Sequence, residues 1–121
     1  MSSPPARPAD PTRPAPAAPL PEPPDAWRTP AVDDLADALL AMRTRDEMTS
    51  LLRDVCSLHE LEVLAHRWQA ARLLDQGMPY ARVAQEVNGS TATVTRVAHW
   101  LHHGQGGYRL ALARLARRGR R

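Results

Sequence analysis

The sequence predicts an all-α protein of six helices preceded by a disordered, Pro-rich N-terminal tail. Beyond Pro30, apolar residues recur at spacings of three and four, and no segment alternates with the period of two that strands require. Eleven of the 12 prolines lie within residues 1–30. Short helical patterns are separated by turn-forming residues, most clearly at Asn88 and Gly89. These observations divide the chain into a tail and one small helical domain.

Residues 1–31 are expected to be a disordered tail, because a segment rich in proline and alanine cannot form the backbone hydrogen bonds of a helix or a sheet and buries little apolar surface. The tail lacks the apolar run of a signal peptide. No stretch of the chain approaches the ~20 apolar residues of a membrane span, so no membrane association is expected. The single cysteine, Cys56, cannot form a disulfide within the chain, which makes a reducing cytoplasm the expected location.

The helical domain is expected over residues 32–116. Its first helix is predicted over about residues 32–43, where the apolar residues follow helical spacing. Thr44 or Asp46 is suited to cap a second helix, which should extend through Val55.

The third predicted helix follows the strongest cap signal in the sequence. Ser57 and Glu60 have the three-residue spacing of a capping box. The helix that they begin should end near Gly77 after about 19 residues, and it has a wide apolar stripe. Either the first two helices or a partner subunit must cover that stripe.

Residues 79–89 predict a short fourth helix and a sharp turn. Pro79 is well placed at the start of the helix. Val83 and Val87 are four residues apart and therefore share one face of it. Asn88 and Gly89 are the residue types that best tolerate the left-handed backbone of a sharp turn.

The fifth helix should begin after Ser90, whose hydroxyl is suited to the N-cap. Val94 and Val97 can pack back on the fourth helix, which gives the pattern of a helix-turn-helix. Threonines are indifferent helix formers, but their hydroxyls and methyls suit the edges of bases. The side chains left pointing outward are Thr91, Ala92, Thr93, Thr95 and Arg96.

A break at residues 103–107 precedes a last helix that contains Tyr108 and Leu115, and residues 117–121 form a basic tail. The charge is uneven along the chain. Residues 32–75 hold nine acids and five arginines, a balance of −4, whereas residues 76–121 hold one acid and eight arginines, a balance of +7. A positive half that contains the helix-turn-helix suits attraction to nucleic-acid phosphates.

The segment from Leu52 to Leu115 resembles the Trp repressor superfamily, and more closely its YerC/YecD-type branch. The residues that carry the resemblance are Leu52 to Cys56, Glu60-Leu61, Arg67, Arg72 to Leu74, Gly77, Tyr80, Ser90 to Val97 and the run from Gly104 to Leu115 with Gly107-Tyr108. The resemblance implies an intertwined homodimer that presents two recognition helices to successive major grooves of double-stranded DNA.

By position, the resemblance also implies a set of DNA-binding residues. Arg82 and Gln85 would lie towards the DNA backbone. The residues that would approach base edges are Thr91, Ala92, Thr93 and Thr95. The complete predicted set is Arg82, Gln85, Ser90, Thr91, Ala92, Thr93, Thr95 and Arg96.

Arg67 and Arg96 match the arginines that flank the tryptophan corepressor in the Trp repressor, so they define a candidate ligand pocket. The Trp repressor has a glycine directly after the second arginine, and this chain has Val97. A valine there would occupy the space of the indole, so tryptophan sensing is not expected. Whether the two arginines are structural or face another, unidentified small-molecule effector stays open.

No cofactor or metal is expected. His99 and His103 could share a helix face, and Cys56 and His59 form a second pair, but neither pair has the ordered ligand set of a zinc site. No phosphate loop, nucleophile elbow or metalloprotease motif occurs, so an enzyme is not expected.

The sequence therefore favours a sequence-specific DNA-binding transcriptional regulator, a repressor that acts as a helix-turn-helix homodimer. The alternative is a protein-interaction module that uses the helix-turn-helix surface and the Pro-rich tail without specific DNA binding.

Overall fold

The computed structural model describes residues 25–119; residues 1–24 of the predicted tail and the last two residues lie outside this range. Within the described residues the chain divides into two units, of which the first ends at Ala41 and the second begins at Met42. All regular secondary structure in the described range is α-helical and comprises six helices, which confirms the predicted fold class.

In the first unit, helix α1 spans Pro30–Ala41. It begins and ends about two residues earlier than the sequence pattern indicates. The reason is its N-terminal chemistry: Pro30 occupies the first helical position, where a missing N–H costs nothing, and the hydroxyl of Thr29 accepts from the N–H of Val32 at 3.2 Å. None of the α1 residues is buried.

The second unit begins with α2, which spans Arg45–Val55, and α3, which spans Leu58–Asp75. Of the two candidate caps for α2, Thr44 takes the position, and its hydroxyl accepts from the N–H of Glu47 at 3.1 Å. Each cap satisfies a backbone donor that has no partner within the helix.

The predicted capping box of α3 is complete. The hydroxyl of Ser57 accepts from the N–H of Glu60 at 3.1 Å, and the N–H of Ser57 donates to a carboxylate oxygen of Glu60 at 2.9 Å. Donation from the N–H of Ser57, and secondarily from its side chain, lowers the pKa of the Glu60 carboxyl group, because it favours the charged form.

Helix α3 ends at Asp75, two residues before the glycine that the sequence indicates. Gly77 has a φ of 87°, a left-handed conformation that glycine adopts without strain. Its N–H donates to the carbonyl of Leu74 at 3.0 Å, and the N–H of Met78 donates to the carbonyl of Leu73 at 3.1 Å. This pair of bonds is a Schellman motif, which reverses the chain towards the next helix.

Three further helices follow: α4 spans Tyr80–Glu86, α5 spans Thr91–His103 and α6 spans Gly107–Gly119. Between α5 and α6, a side chain at Gly104 would collide with the carbonyl oxygen of Trp100, so the break requires glycine. Arg117 and Arg118 lie in the last turn of α6.

The core of the second unit is small and lies where the second half of α3 meets α4 and α5. Among the described residues, no buried side chain is larger than leucine. Small residues such as Ala70, Ala71 and Ala84 let these helices approach closely. The buried residues are Ala70, Ala71, Val83, Ala84, Val87, Val94, Val97, Ala98 and Leu101.

Candidate nucleic-acid interface

The turn between α4 and α5 is set by one left-handed residue. Asn88 has a φ of 54°, while Gly89 has no positive φ. The N–H of Asn88 donates to the carbonyl of Gln85 at 3.4 Å, and the N–H of Gly89 donates to the carbonyl of Ala84 at 3.0 Å. This is again the Schellman pattern, and it ends α4 so that only four residues separate it from α5.

Gly89 lies so close to the side chain of Val87 that a larger residue would not fit. A side chain at this position would place its first carbon 3.3 Å from a methyl group of Val87, which is tighter than ordinary van der Waals contact. Val87 is 2 % exposed and cannot move away without disturbing the core. In the Asn88-Gly89 pair, Asn88 therefore adopts the left-handed backbone conformation, and Gly89 avoids a clash with the side chain of Val87.

The first turn of α5 has a hydroxyl network. The hydroxyl of Ser90 accepts from the N–H of Thr93 at 3.2 Å, as the predicted N-cap, and lies 3.1 Å from the hydroxyl of Thr93. The hydroxyl of Thr95 donates to the carbonyl of Thr91 at 2.8 Å. These bonds fix the orientation of two threonine side chains before any ligand arrives.

The valines beneath α5 hold its outer face in place. Val94 is fully buried and Val97 is 2 % exposed, and both belong to the cluster that contains Val83 of α4 and Val87, the residue that follows α4. The packing therefore joins α4 and α5 into one body, as the spacing of the valines indicates.

The structure exposes most of the residues in the predicted DNA-binding set. Thr93 differs, because it is half-buried and its hydroxyl meets that of Ser90. The sequence pattern predicts Thr93 on the outward face. The hydrogen bonds with Ser90 draw its side chain inward, and only the three-residue spacing of Ser90 and Thr93 indicates them in the sequence. The exposed members are Arg82, Gln85, Ser90, Thr91, Ala92, Thr95 and Arg96.

A groove of about 520 Å³ runs between the outer side of α4 and the start of α5. Gln85, Asn88 and Thr91 line it, together with the backbone at Gly89. The first turn of α5 contains no acidic residue, so its free N–H groups and positive helix end are not neutralised by a carboxylate. This end of α5 is chemically suited to an anion such as a phosphate group.

Arg67 of α3 and Arg96 of α5 come together, as the candidate ligand pocket requires. Both line an open cleft of about 620 Å³ beneath the α4–α5 turn, and both line a second cleft of about 450 Å³ with Val97, Trp100 and Tyr108. Val97 reaches the edge of the second cleft while its side chain belongs to the core.

Tyr108 lines this second cleft and packs against Trp68, an aromatic pair that the sequence pattern does not assign to the site. The rings of Trp68 and Tyr108 are stacked, with centroids 6.2 Å apart and planes 16° from parallel. Partial burial raises the pKa of the Tyr108 hydroxyl, and the nearby charge of Arg67 acts in the opposite direction. Trp68 and Tyr108 are 40 residues apart in the sequence, so no local pattern reveals the contact.

The structure and the comparisons with known proteins agree on the class of this protein. A short helix, a tight turn and a capped second helix with an exposed polar face form a helix-turn-helix on an all-α scaffold. Residues 31–116 match the family model described as Trp repressor protein. The chain belongs to the Trp repressor family, as the sequence resemblance predicted.

Relatives in this family support the assignment. The chain is 33% identical over 91 residues to the uncharacterised protein YerC of Bacillus subtilis (strain 168), a match that covers 75% of this chain and 88% of YerC. The crystal structure of a candidate Trp repressor from Staphylococcus aureus superposes on this chain with a TM-score of 0.71 at 36% sequence identity. The match covers 76% of this chain and 92% of the Staphylococcus aureus chain. The crystal structure of a TrpR-like protein from Eubacterium eligens ATCC 27750 superposes with a TM-score of 0.72 at 33% sequence identity. That match covers 76% of this chain and 95% of the Eubacterium eligens chain.

The described residues contain neither a membrane-spanning helix nor a cluster of three or more metal-ligating side chains. No helix there is both long and apolar enough to cross a membrane. Within the same residues, no group of three or more histidine, cysteine or acidic side chains is arranged to hold a metal ion.

Proposed function

We propose that this protein is a sequence-specific DNA-binding transcriptional regulator that acts as a homodimer and represses by occupying an operator. The observation that carries the proposal is the exposed outer face of α5, held in place by buried Val94 and Val97. A rigid helix with small polar groups at its N-terminal end is the form that enters the major groove.

The roles of the exposed residues follow from their chemistry. Thr91 and Ala92, in the first turn of α5, would approach base edges, where a methyl group can contact the methyl of thymine. Arg82 and Gln85 of α4 would contact the sugar-phosphate backbone, whose contacts position the protein but specify no sequence.

Charge supports the same assignment. Residues 76–121, which contain α4, α5 and α6, hold eight arginines against the single acid Glu86. Attraction between this half and DNA phosphates would provide the part of the affinity that does not depend on sequence and that weakens with salt.

Exposed apolar side chains support the homodimer. Leu58 and Leu64 of α3 are 57 % and 45 % exposed, and Leu110 and Leu115 of α6 are 52 % and 46 % exposed. Burial stabilises apolar surface by roughly 25 cal/mol per Å², so a second copy that covers these residues would stabilise both chains. Two-fold symmetry would also present two α5 helices to half-sites about 34 Å apart.

The direct test is a binding titration of the full chain on a pool of mixed-sequence DNA duplexes, at low and at higher salt. We expect binding at low salt, and Arg82→Ala should weaken it for all sequences and reduce the salt slope by about one unit. The Thr91→Ala variant is the matched comparison, because it should leave the salt slope unchanged. Absence of binding at low salt would instead favour the protein-interaction module.

Tryptophan is not expected to be the effector. Val97 stands at the edge of the cleft that Arg67 and Arg96 share, and the buried position of its side chain prevents it from turning away. Calorimetric titration with tryptophan should give no affinity tighter than ~100 μM, a dissociation constant equivalent to about −5.5 kcal/mol. Tighter binding would overturn the steric argument.

A further inference from the structure

The C-terminal half of α5 has a pair of histidines that the proposed DNA-binding role does not use. His99 and His103 are four residues apart on the same helix, and both are exposed. Their ring centroids lie 5.3 Å apart, with the planes inclined by 42°. Because the core residues of α5 occupy its opposite side, both rings are open to solvent.

This separation suits a shared metal ion. Two histidines at i and i+4 on one helix face are a recurrent pair of metal ligands. An ion held about 2.0–2.1 Å from one nitrogen of each ring would place the two ring centroids roughly 5 Å apart, close to the separation found here. Both side chains are exposed, so the core does not prevent their rotation between rotamers.

The neighbouring His102 has a different partner, Arg109. His102 is also in the last turn of α5, but its Nδ1 lies 3.0 Å from a guanidinium nitrogen of Arg109 on α6. Its ring centroid is 6.4 Å from that of His103, with the two rings edge to face. His102 therefore provides a natural control, since it has the same residue type and nearly the same position but a different partner.

We propose that His99 and His103 chelate one divalent late transition-metal ion of the Ni²⁺, Cu²⁺ and Zn²⁺ class, for which imidazole is a suitable ligand. Since the described residues offer no third side-chain ligand, water completes the coordination. The bound ion links two successive turns of α5 and stabilises its C-terminal end, independently of whether the N-terminal end contacts DNA.

The test is a calorimetric titration of the full-length protein with Ni²⁺ at neutral pH, in the wild type and in the His99→Ala, His103→Ala and His102→Ala variants. Alanine favours helix, and all three positions are exposed, so the variants should keep the fold, which circular dichroism checks. A Cys56→Ser variant controls for the cysteine as a competing ligand.

We expect one ion per chain. Affinity should fall by about tenfold or more in the His99 and His103 variants, because one ligand alone loses the benefit of a linked second ligand. It should be unchanged in the His102 and Cys56 variants. Absence of binding in the wild type, or affinity that survives both single substitutions or depends equally on His102 or Cys56, would overturn the proposal.

Discussion

Asn88 sets the direction in which the chain enters α5, because its backbone is left-handed at the turn before that helix. Among the described residues, no other non-glycine residue has a positive φ. The Asn88-Gly89 pair could be predicted to form the turn, since both residue types tolerate a left-handed backbone. Which of the two takes that conformation could not be predicted. The choice depends on the hydrogen bonds that end α4 and on the contact between Gly89 and Val87, which only the folded chain defines.

Replacing Asn88 tests this role. Asn88→Ala should lower the free energy of unfolding by about 1 kcal/mol, because alanine adopts the left-handed region at a cost. Asn88→Gly is the matched control and should leave stability unchanged or slightly higher. Urea denaturation of the three proteins measures the difference, and equal stability of the alanine and glycine variants would contradict the account.

At the scale of the element, the helix caps could be predicted best. The Ser57–Glu60 capping box and the Ser90 cap depend on residues three apart, so the sequence contains the whole signal. Where two candidates compete, as Thr44 and Asp46 do, the pattern alone does not decide. The bounds of α1 differ from expectation because its cap at Thr29 lies before the first apolar residue of the pattern.

The capping box predicts a pH dependence of stability. The pKa of Glu60 is lowered in the folded state from the value of 4.5, so its contribution is fully present above that pH and is lost as the pH falls through the folded pKa. A Glu60→Gln variant keeps a hydrogen-bonding partner for Ser57 but does not titrate.

Urea denaturation of the wild type and of Glu60→Gln at several pH values checks this dependence. We expect the wild type to be the more stable at pH ~6, and the difference to shrink as the pH falls below ~4.5. A difference that stays constant or grows in acid would show that the capping carboxylate does not contribute as described.

At the scale of the whole molecule, the fold class could be predicted, whereas the contacts between distant segments could not. The Trp68–Tyr108 stack and the His102–Arg109 hydrogen bond each join residues on different helices. Helical periodicity identifies the face of each residue but not its partner across the core. The meeting of Arg67 and Arg96 was expected from the resemblance alone, because nothing in their spacing indicates it.

The small core and the exposed leucines of α3 predict that the homodimer that we propose depends on this helix. Leu64→Glu should convert the protein from two chains to one chain of 13.4 kDa, because it places a charge on apolar surface that we propose the partner covers. Gln69→Glu is the control, since it adds the same charge at an exposed polar position of α3. Analytical ultracentrifugation measures both, and a Leu64→Glu variant with the mass of the wild type would contradict this placement of the interface.

Selection of bound sequences from a pool of random DNA duplexes, read by sequencing, tests whether the outer face of α5 reads DNA. We expect an enriched motif with two symmetric half-sites whose centres are about 34 Å apart. Thr91→Ala should broaden that motif and Arg82→Ala should preserve it. A pool that shows no enrichment at low salt, or a motif that both substitutions leave unchanged, would contradict the claim that the outer face of α5 reads DNA.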